Sequence, residues 1–518
     1  MLGPYDGTTR PRLSLAILTA VLFVTFLDNT IVATALASIQ TGLHAGVTAL
    51  QWVVSSYALT FAGLMLVFGT LSDHMGRRLV MVLGLVTFTA GSILGAVATS
   101  SGMLIGGRVV MGIGAAASEP GTLSMIRQLY PVREERAQAL GVWSAVSGLA
   151  LAAGPVVGGV LVGVWSWRAV FVFNIAAGVA AVVGVLVILP ESRTPTRRRL
   201  DIGGFLFGTT ALTAATFATI AGETAGYRAW WVILLFAGAV VAGLIFLLVE
   251  RRAQEPVLDF RFFRYRAFTV GNTVAFTGYF ATFSVFFFVP LFVQLLGTAS
   301  GYDIAVDFTP MAAAMITASA LAGRWVARMG PGIPMSLGCV TAGGGILVTN
   351  ALITPHSDVS LFGWSLVLVG AGLGVVMVAV TTAVLGVVPA ERSGMAASAV
   401  NTSRELGAVA GVAILGAIIN AQLTTNLLHK LAAIPGLPAA YRNEVIVAVT
   451  TGTVNTQASQ LPKSPEITRI VNEVVGAAAS SFSQGLDWVM VLAGALLLAS
   501  GVLAAALVRR WRAPTLER

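Results

Sequence analysis

The chain has 518 residues, of which 56% are hydrophobic and 10% are charged, whereas about a quarter of a soluble domain is charged. This composition excludes a water-soluble globular protein and indicates a chain whose solvent is lipid. The net charge of +9 does not indicate a nucleic-acid partner, because the basic residues lie in short segments between apolar runs, without interleaved aromatic residues. The single cysteine, Cys339, excludes a disulfide framework and a thiolate metal site.

Apolar runs of about 20 residues, the length that crosses a bilayer as a helix, recur along the whole chain. The first run contains Asp28 and is followed by further spans, so it predicts a retained helix and not a cleaved signal. We predict fourteen spans, at about 13–36, 50–71, 79–98, 103–126, 137–162, 168–190, 202–222, 229–250, 268–296, 305–329, 334–353, 361–385, 395–421 and 486–508.

The basic residues choose the orientation of these spans. With the N-terminus inside, most of them fall in cytoplasmic segments, as the positive-inside rule requires. An even number of spans also keeps the C-terminal cluster of Arg509, Arg510 and Arg512 inside. Arginine far outnumbers lysine, and alanine and glycine are abundant, as in GC-rich bacterial genomes. We therefore predict a multi-pass protein of the bacterial cytoplasmic membrane with both termini cytoplasmic.

A weak internal repeat indicates two related halves. The segment 69–76, at the end of the second span, recurs as 323–330 at the end of the tenth, with Ala327 in place of Asp73. This predicts six-helix halves at 1–200 and 267–518, with an inserted helix pair and cytoplasmic linker at 201–266. An extracytoplasmic loop at about 422–485 would lie in the second half. Paired halves suit alternating access to a central site.

Glycines, an acid and two arginines form a tight cytoplasmic turn between the second and third spans, in the stretch Gly69-Thr-Leu-Ser-Asp73-His-Met-Gly76-Arg77-Arg78. Here the sequence resembles the major facilitator superfamily, whose signature loop it matches. The resemblance implies that the charged residues latch an inner gate. The predicted gating residues are Gly69, Asp73, Gly76, Arg77 and Arg78. A solvated positive-inside loop is the alternative.

The fifth span carries small residues around a proline, from Ala150 to Gly159. This stretch resembles the characteristic motif of the superfamily's exporters, with Ala150 in place of the usual glycine. Small residues four apart let helix backbones approach closely, so ordinary packing is the alternative. The predicted motif residues are Gly154, Pro155, Gly158 and Gly159.

The first helix contains Leu27-Asp28-Asn29-Thr30-Ile31-Val32-Ala33, which resembles the first-helix motif of the drug:proton antiporters and particularly of their fourteen-span branch. The sequence also resembles this branch at residues 51–53, 167–174, 250–259 and 401–407. The resemblance implies a bacterial multidrug efflux transporter. Departures include Ala37 and Ala176 where prolines are usual, and Glu405 where Gln is commoner.

Asp28 lies near mid-membrane, where an ionised carboxylate costs roughly 2.5–3.5 kcal/mol. It is therefore expected to face the bundle interior. Loss of water disfavours the charged form of a carboxyl group, which makes Asp28 a candidate proton carrier. A structural hydrogen bond between helices is the alternative.

Three more residues are predicted to take part in proton coupling. Arg108 and Glu119 are eleven residues apart, close to three helical turns, and so lie on nearly one face. Arg108 also matches the fourth-helix arginine that is linked to proton coupling in the family. The alternative for Arg108 is that its side chain snorkels to the outer interface. The alternative for Glu119 is a local role beside Pro120. Arg404 and Glu405 are about 100° apart on a helix, so both cannot point squarely into one cavity; we favour Glu405.

Several residues are candidates to line a substrate cavity. Phe276, Phe280, Phe283 and Phe287 form a stripe that could contact an aromatic substrate, although packing or lipid exposure is the favoured interpretation. The predicted cavity residues are Trp52, Tyr57, Asn174, Phe276, Phe280, Asn401 and Arg404.

The chain carries no P-loop for ATP, and its four histidines fall in predicted loops. We therefore predict a non-enzymatic, monomeric carrier without metal or cofactor, driven by a proton gradient, which exports hydrophobic or cationic small molecules such as drugs and antibiotics. Its partners would be the small-molecule substrate, protons and the lipid bilayer, with no nucleic acid. Export of an endogenous metabolite or lipid, or proton-coupled solute import by the same fold, remains the alternative.

Overall fold

The computed structural model describes residues 11–191, 202–253, 260–295, 301–353, 360–388, 393–435, 445–446 and 465–508. Every regular element within these ranges is a helix. The first eight helices are α1 (Pro11–Leu43), α2 (Val47–Met75), α3 (Arg77–Ala96), α4 (Ser101–Leu129), α5 (Arg133–Val164), α6 (Arg168–Ile188), α7 (Ile202–Ala225) and α8 (Trp230–Arg252).

The second part of the chain begins with a short 3-10 helix at Phe260–Arg264. Two of its spans contain a π-helical turn, at Ser284–Phe288 between α9 and α10 and at Gly411–Leu415 between α14 and α15. The remaining α-helices are α9 (Arg266–Phe283), α10 (Val289–Leu295), α11 (Gly301–Met329), α12 (Gly332–Leu352), α13 (Ser360–Leu385), α14 (Ser393–Ala410), α15 (Gly416–Ala432) and α16 (Pro465–Val508).

Thirteen helical segments of the described residues are long and apolar enough to cross a membrane. In lipid, the backbone N–H and C=O groups of each segment must be hydrogen-bonded within the protein, and an α-helix provides these hydrogen bonds. The prediction of an all-α integral membrane protein is therefore confirmed. Helix α2 is continuous over 29 residues, but several of its side chains lie outside the described residues, and the count of fourteen spans stays a prediction.

The helices pack as two groups around a shared interior. In the first group α1 packs on α5 and α6, and α4 packs between α2 and α3. In the second, α13 packs between α11 and α12, and α9 packs on α14 and α16. The groups meet where α5 contacts α11 and where α2 contacts α14. Helices α7 and α8 pack chiefly on each other, and α7 is joined to α2 by the Thr209 hydroxyl, which donates to the Gly63 carbonyl at 3.0 Å.

Glycine pairs bring helices together at equivalent places in the two groups. A Cβ on Gly114 of α4 would lie 2.3 Å from the backbone nitrogen of Phe88 in α3. A Cβ on Gly372 of α13 would lie 2.4 Å from the backbone nitrogen of Ala342 in α12. Real Cβ atoms do not approach so closely, so both crossings require glycine. The third and fourth spans thus pack in the same way as the eleventh and twelfth.

The polar stretch at about 422–485 is helical at both ends. Helix α15 continues to Ala432, and α16 begins at Pro465. Lys430 of α15 donates to the Ser480 hydroxyl of α16 at 2.8 Å, so the two helices remain in contact beyond their apolar segments. Much of the segment between Pro435 and Pro465 falls outside the described residues.

Candidate functional site

Asp28 lies near the middle of α1 and is completely buried. Its Oδ1 accepts a hydrogen bond from Asn174 Nδ2 of α6 at 2.6 Å, and its Oδ2 is ion-paired with Arg108 Nη1 of α4. The carboxylate therefore points into the bundle and away from lipid. We name Asp28, Arg108, Asn174 and Tyr57 the Asp28 cluster.

Arg108 is held on two further sides, and only 1% of its surface is exposed. Its Nε donates to the Val53 carbonyl of α2 at 2.9 Å, and its guanidinium lies 4.3 Å from the centre of the Tyr57 ring. The Tyr57 hydroxyl in turn donates to the Thr25 carbonyl of α1 at 3.0 Å. Arg108 does not snorkel to an interface, because these contacts keep it in the interior.

A second group of buried polar residues surrounds α14, and we name Asn29, Glu119, Asn401, Arg404 and Glu405 the α14 cluster. Asn401 Nδ2 donates to Glu119 Oε1 of α4 at 2.9 Å, and Asn29 Nδ2 of α1 donates to Glu405 Oε1 at 3.1 Å. All five side chains are at most 3% exposed. These two hydrogen bonds join helices of the first six spans directly to a helix that follows the inserted pair.

Arg404 is held by neutral groups. Its Nη1 donates to Asn401 Oδ1 at 3.2 Å, and its Nη2 donates to the Thr381 hydroxyl at 3.1 Å and to the Met377 carbonyl at 3.4 Å. It also lies 5.8 Å from the centre of the Tyr279 ring. Arg404 thus points toward α9 and α13, whereas its neighbour Glu405 points toward α1. Both side chains are buried, and because they leave the helix in different directions they contact different partners.

Each acid of the α14 cluster has one oxygen that accepts no hydrogen bond from the described residues. These buried atoms are Glu119 Oε2 and Glu405 Oε2, and the buried Tyr279 hydroxyl is likewise without a partner among those residues. A buried polar atom without a partner costs about 1–3 kcal/mol. The α14 cluster therefore keeps acceptors that a proton or a cationic group could satisfy.

The residues predicted to line a substrate cavity separate into four places, of which Phe276 and Phe280 in α9 form one. Tyr57 and Asn174 belong to the Asp28 cluster, and Asn401 and Arg404 to the α14 cluster. The Trp52 ring packs on Phe217 of α7, with ring centroids 5.4 Å apart. This contact places it against the inserted pair, and its part in a substrate cavity stays a prediction.

The phenylalanine stripe lies in the packed interior of α9 and the π turn after it. Phe283 and Phe287 are fully buried, so they face neither lipid nor an open chamber. Phe276 and Phe280 stack with centroids 6.3 Å apart. A cavity of about 10 Å³ lies beside Tyr279 and Arg404, and neither Phe276 nor Phe280 lines it. A space of this size holds about one water molecule.

The predicted exporter motif fixes the position of α1. A Cβ on Gly154 of α5 would lie 1.9 Å from Thr30 Oγ1, and a Cβ on Gly158 would lie 2.2 Å from Thr34 Oγ1. Pro155 lies inside α5 between them, and Gly159 is buried beside them. Because Thr30 is two residues after Asp28, this contact seats the segment of α1 that carries the acid.

The predicted gating loop forms the turn between α2 and α3. Gly76 has φ of 116°, which favours glycine, and ends α2 while beginning α3. The Arg78 backbone donates to Glu191 at 3.2 Å, and its side chain donates to the Leu186 carbonyl near the end of α6. Arg77 is buried, and the space beside Gly69 is bounded by Pro120. The Asp73 side chain lies outside the described residues.

Sequence reasoning did not single out four residues that contact the buried charged side chains: Asn29 binds an acid, and the other three contact Arg108 or Arg404. Asn29 follows Asp28 in the quoted motif, but its partner Glu405 is 376 residues away. Tyr279, Thr381 and the Val53 carbonyl were not predicted because an uncharged group in an apolar run gives no local signal. No group of three or more His, Cys, Asp or Glu suited to a metal occurs in the part of the chain that the structure describes.

A bundle of apolar helices that buries ionisable side chains at its centre is typical of a membrane transporter. The model of the Major Facilitator Superfamily matches residues 18–412. The chain belongs to that superfamily.

Relatives and solved structures agree with this assignment. The chain is 31% identical to the multidrug resistance protein Stp of Mycobacterium tuberculosis, covering 95% of this chain and 90% of that protein. It is 33% identical to the methylenomycin A resistance protein of Bacillus subtilis, with 81% and 90% covered. It is 30% identical to the tetracenomycin C resistance and export protein of Streptomyces glaucescens, with 95% and 90% covered. A bacterial homologue of the human lysosomal transporter Spinster, solved inward-facing, shares the fold with a TM-score of 0.62 at 16% identity, over 99% of this chain and 100% of that one.

Proposed function

We propose that the protein is a proton-coupled antiporter that exports hydrophobic or cationic small molecules, such as drugs and antibiotics, across a bacterial cytoplasmic membrane. The observation that carries this proposal is Asp28, a carboxylate buried in the middle of a membrane helix and bound to Arg108 and Asn174. Three of the relatives named above are resistance proteins, and one of them is named as an exporter.

The coupling begins with competition between a proton and Arg108 for the Asp28 carboxylate. A proton arriving from outside neutralises the carboxylate and removes the charge that Arg108 binds. Asn29, the next residue of α1, donates a hydrogen bond to Glu405 of α14. A shift of α1 therefore changes a contact between the two groups of helices. Protonation favours release of the substrate outside, and deprotonation inside restores binding. The difference in binding between the two states supplies the coupling.

Glu119 and Glu405 act as the second proton-coupling site. Each has one buried oxygen without a partner, and each is held in place by an asparagine on the opposite side of the interface. Opening the interior separates these asparagine–glutamate pairs and exposes the acids to water. A cationic substrate or a proton then takes the place of the asparagine.

The organisation predicted from the sequence belongs to this proposal. Two six-helix halves, at 1–200 and 267–518, rock about the central site, and the pair at 201–266 is an insertion. The equivalent glycine crossings of α3 on α4 and of α12 on α13 support this division. Fourteen spans place both termini in the cytoplasm. We expect a monomer without cofactor or enzymatic activity, with Asp73 and Arg78 at the cytoplasmic gate.

Transport in everted membrane vesicles tests the role of Asp28. With ethidium as the probe, the wild-type protein should accumulate it when a pH gradient is present and lose it when a protonophore is added. Asp28→Asn should abolish this accumulation, whereas Glu473→Gln, which removes an exposed carboxylate from α16, should leave it unchanged. Normal gradient-driven accumulation by Asp28→Asn would eliminate the assigned role.

The direction of loading separates export from its alternative. An exporter accumulates the probe in everted vesicles, and an importer accumulates its solute in right-side-out vesicles. The names of the relatives favour export, and two of them concern methylenomycin A and tetracenomycin C. Comparing a panel of drugs with extracts of the host's own metabolites, in the same vesicles, distinguishes a drug exporter from an exporter of an endogenous compound.

A further inference from the structure

A pocket of about 400 Å³ lies apart from both polar clusters, where the end of α12 meets α15 and α16. Its wall is largely amide-bearing and includes one carboxylate and one indole. The lining residues that matter here are Asn350, Gln422, Asn426, Gln484, Asp487 and Trp488. None of them belongs to the Asp28 cluster or to the α14 cluster.

The floor of the pocket is fixed by close helix packing and by hydrogen bonds between helices. A Cβ on Gly485 of α16 would lie 3.2 Å from the Ile419 Cα of α15, so the two backbones are in contact there. Asn350 Nδ2 of α12 donates to Asp487 Oδ1 of α16, and Asn426 Nδ2 donates to Gln422 Oε1 at 3.3 Å within α15. Three helices therefore hold the polar side chains in place.

These bonds leave acceptors facing no protein donor. Within the described part of the chain, Asp487 accepts a hydrogen bond only from Asn350, and the carbonyl oxygens of Asn350 and Asn426 accept none. The pocket therefore offers one carboxylate oxygen and two amide oxygens to a ligand. A ligand that satisfies all three must itself carry N–H or O–H donors.

The charge of the pocket selects a cation. Among the described residues that line the pocket, Asp487 is the one with an ionisable side chain. The neighbouring cation, Lys430, donates to Ser480 at 2.8 Å and does not pair with Asp487. Trp488 is 60% exposed at the rim, and an indole face attracts an ammonium group. A carboxylate and an indole at one site are the combination that recognises an organic ammonium ion.

Exposed apolar residues follow the lining residues closely along both helices. Leu428 comes two residues after Asn426 in α15 and is 42% exposed, and Val491 comes three residues after Trp488 in α16 and is 40% exposed. On a surface that lies in lipid, a polar pocket beside apolar residues is reached by molecules that have both a charged head and an apolar part.

We propose that this pocket binds the ammonium group of an amphiphilic or small organic cation, through Asp487, the Asn350 and Asn426 carbonyls and the face of Trp488. The ammonium group could belong to a lipid headgroup or to a free solute. This site is separate from the central one and does not depend on the proposed transport cycle.

The free-solute arm of the test uses the purified full-length protein in phosphatidylglycerol nanodiscs, which contain no ammonium headgroup. Methylammonium and ethanolamine, which both carry N–H donors, are titrated in by calorimetry. The lipid arm measures, by electron paramagnetic resonance, the immobilised fraction of spin-labelled phosphatidylethanolamine against spin-labelled phosphatidylglycerol. Binding in the first arm identifies a free cation as a ligand, and selective immobilisation in the second identifies a lipid headgroup; either result supports the site.

Two variants and a control decide whether the signal comes from this pocket. Asp487→Asn should weaken binding at least tenfold in whichever arm is positive, and Trp488→Leu should weaken it several-fold without a change of charge. Glu473→Gln removes an acid from the same helix outside the pocket and should bind as the wild type does. The proposal is overturned if neither arm shows ammonium-specific binding, or if both pocket variants bind like the control. A melting temperature for each variant identifies one that fails to fold, in which case the other variant decides.

Discussion

The two polar clusters at the centre of the bundle differ in how their acids are paired. In the Asp28 cluster the carboxylate meets a guanidinium and an amide, and both residues come from the first six spans. In the α14 cluster Glu119 and Glu405 each meet one neutral asparagine, which comes from the opposite side of the interface, and each keeps an unpaired oxygen.

This difference separates two tasks. An ion pair within one group of helices moves with that group as a rigid body, so it can keep its geometry throughout a transport cycle. A hydrogen bond between the groups must break when they rock apart, and neutral partners make that break cheaper than separating two charges would be. The Asp28 cluster is suited to hold charge, and the α14 cluster is suited to open.

Replacing each cluster's arginine should give the largest contrast. Arg108→Ala leaves Asp28 buried without its countercharge, which costs about 3–5 kcal/mol, whereas Arg404→Ala leaves neutral acceptors unpaired, at about 1–3 kcal/mol. Thermal unfolding in detergent should therefore show the lower melting temperature for Arg108→Ala. Equal losses would mean that Arg404 neutralises a charge on Glu119 or Glu405, and the contrast between the clusters would be wrong.

Disturbing the close packing of α1 against α5 should give the next largest effect. Gly154→Ala places a methyl group against Thr30 Oγ1 and the Ile31 backbone nitrogen, and overpacking of this kind costs typically about 1–3 kcal/mol. It should lower both the melting temperature and ethidium export, because it displaces the helix that carries Asp28. Gly106→Ala is the matched control, since a Cβ there meets nothing within 4 Å. Wild-type export by Gly154→Ala would show that the contact does not position Asp28.

Replacing an asparagine that hydrogen-bonds between the two groups of helices should have the smallest effect on stability and a clear effect on opening. Asn401→Ala removes one hydrogen bond between the helix groups, worth about 1 kcal/mol, and also the hydrogen bond that Arg404 donates to Asn401 within α14. Hydrogen–deuterium exchange of the α14 backbone should rise roughly fivefold, which corresponds to that free energy. Asn350→Ala also removes an asparagine hydrogen bond, but away from the centre, and should leave exchange in α14 unchanged. Identical exchange in the two variants would argue against a role for Asn401 in closure.

Much of the fold could be predicted from the sequence, because a bilayer demands apolar helices of nearly fixed length. The ends were harder to place. Helix α1 continues to Leu43 and α16 begins at Pro465, beyond the apolar runs. Helix–helix contacts such as that of Lys430 with Ser480 extend these helices into polar sequence, and no local hydrophobic signal reports such contacts.

The acids of the site could be found from the sequence, but their partners could not. A charge inside an apolar run is conspicuous because of its cost in lipid, and Asp28, Arg108, Glu119 and Glu405 all lie in the interior. Asn29 and Glu405 are 376 residues apart, and only the packing of helices brings them together. Trp52 likewise packs on Phe217 of the inserted pair, a partner that no local pattern in the sequence indicates.

The central claim is that Asp28 exchanges a proton when substrate binds. The most direct measurement is proton release into weakly buffered detergent solution at neutral pH, followed with a pH-indicator dye as ethidium is added to the purified protein. The wild-type protein and Glu473→Gln should release protons in proportion to the ethidium bound, and Asp28→Asn should bind ethidium with less or no release. Undiminished proton release by Asp28→Asn would contradict the account.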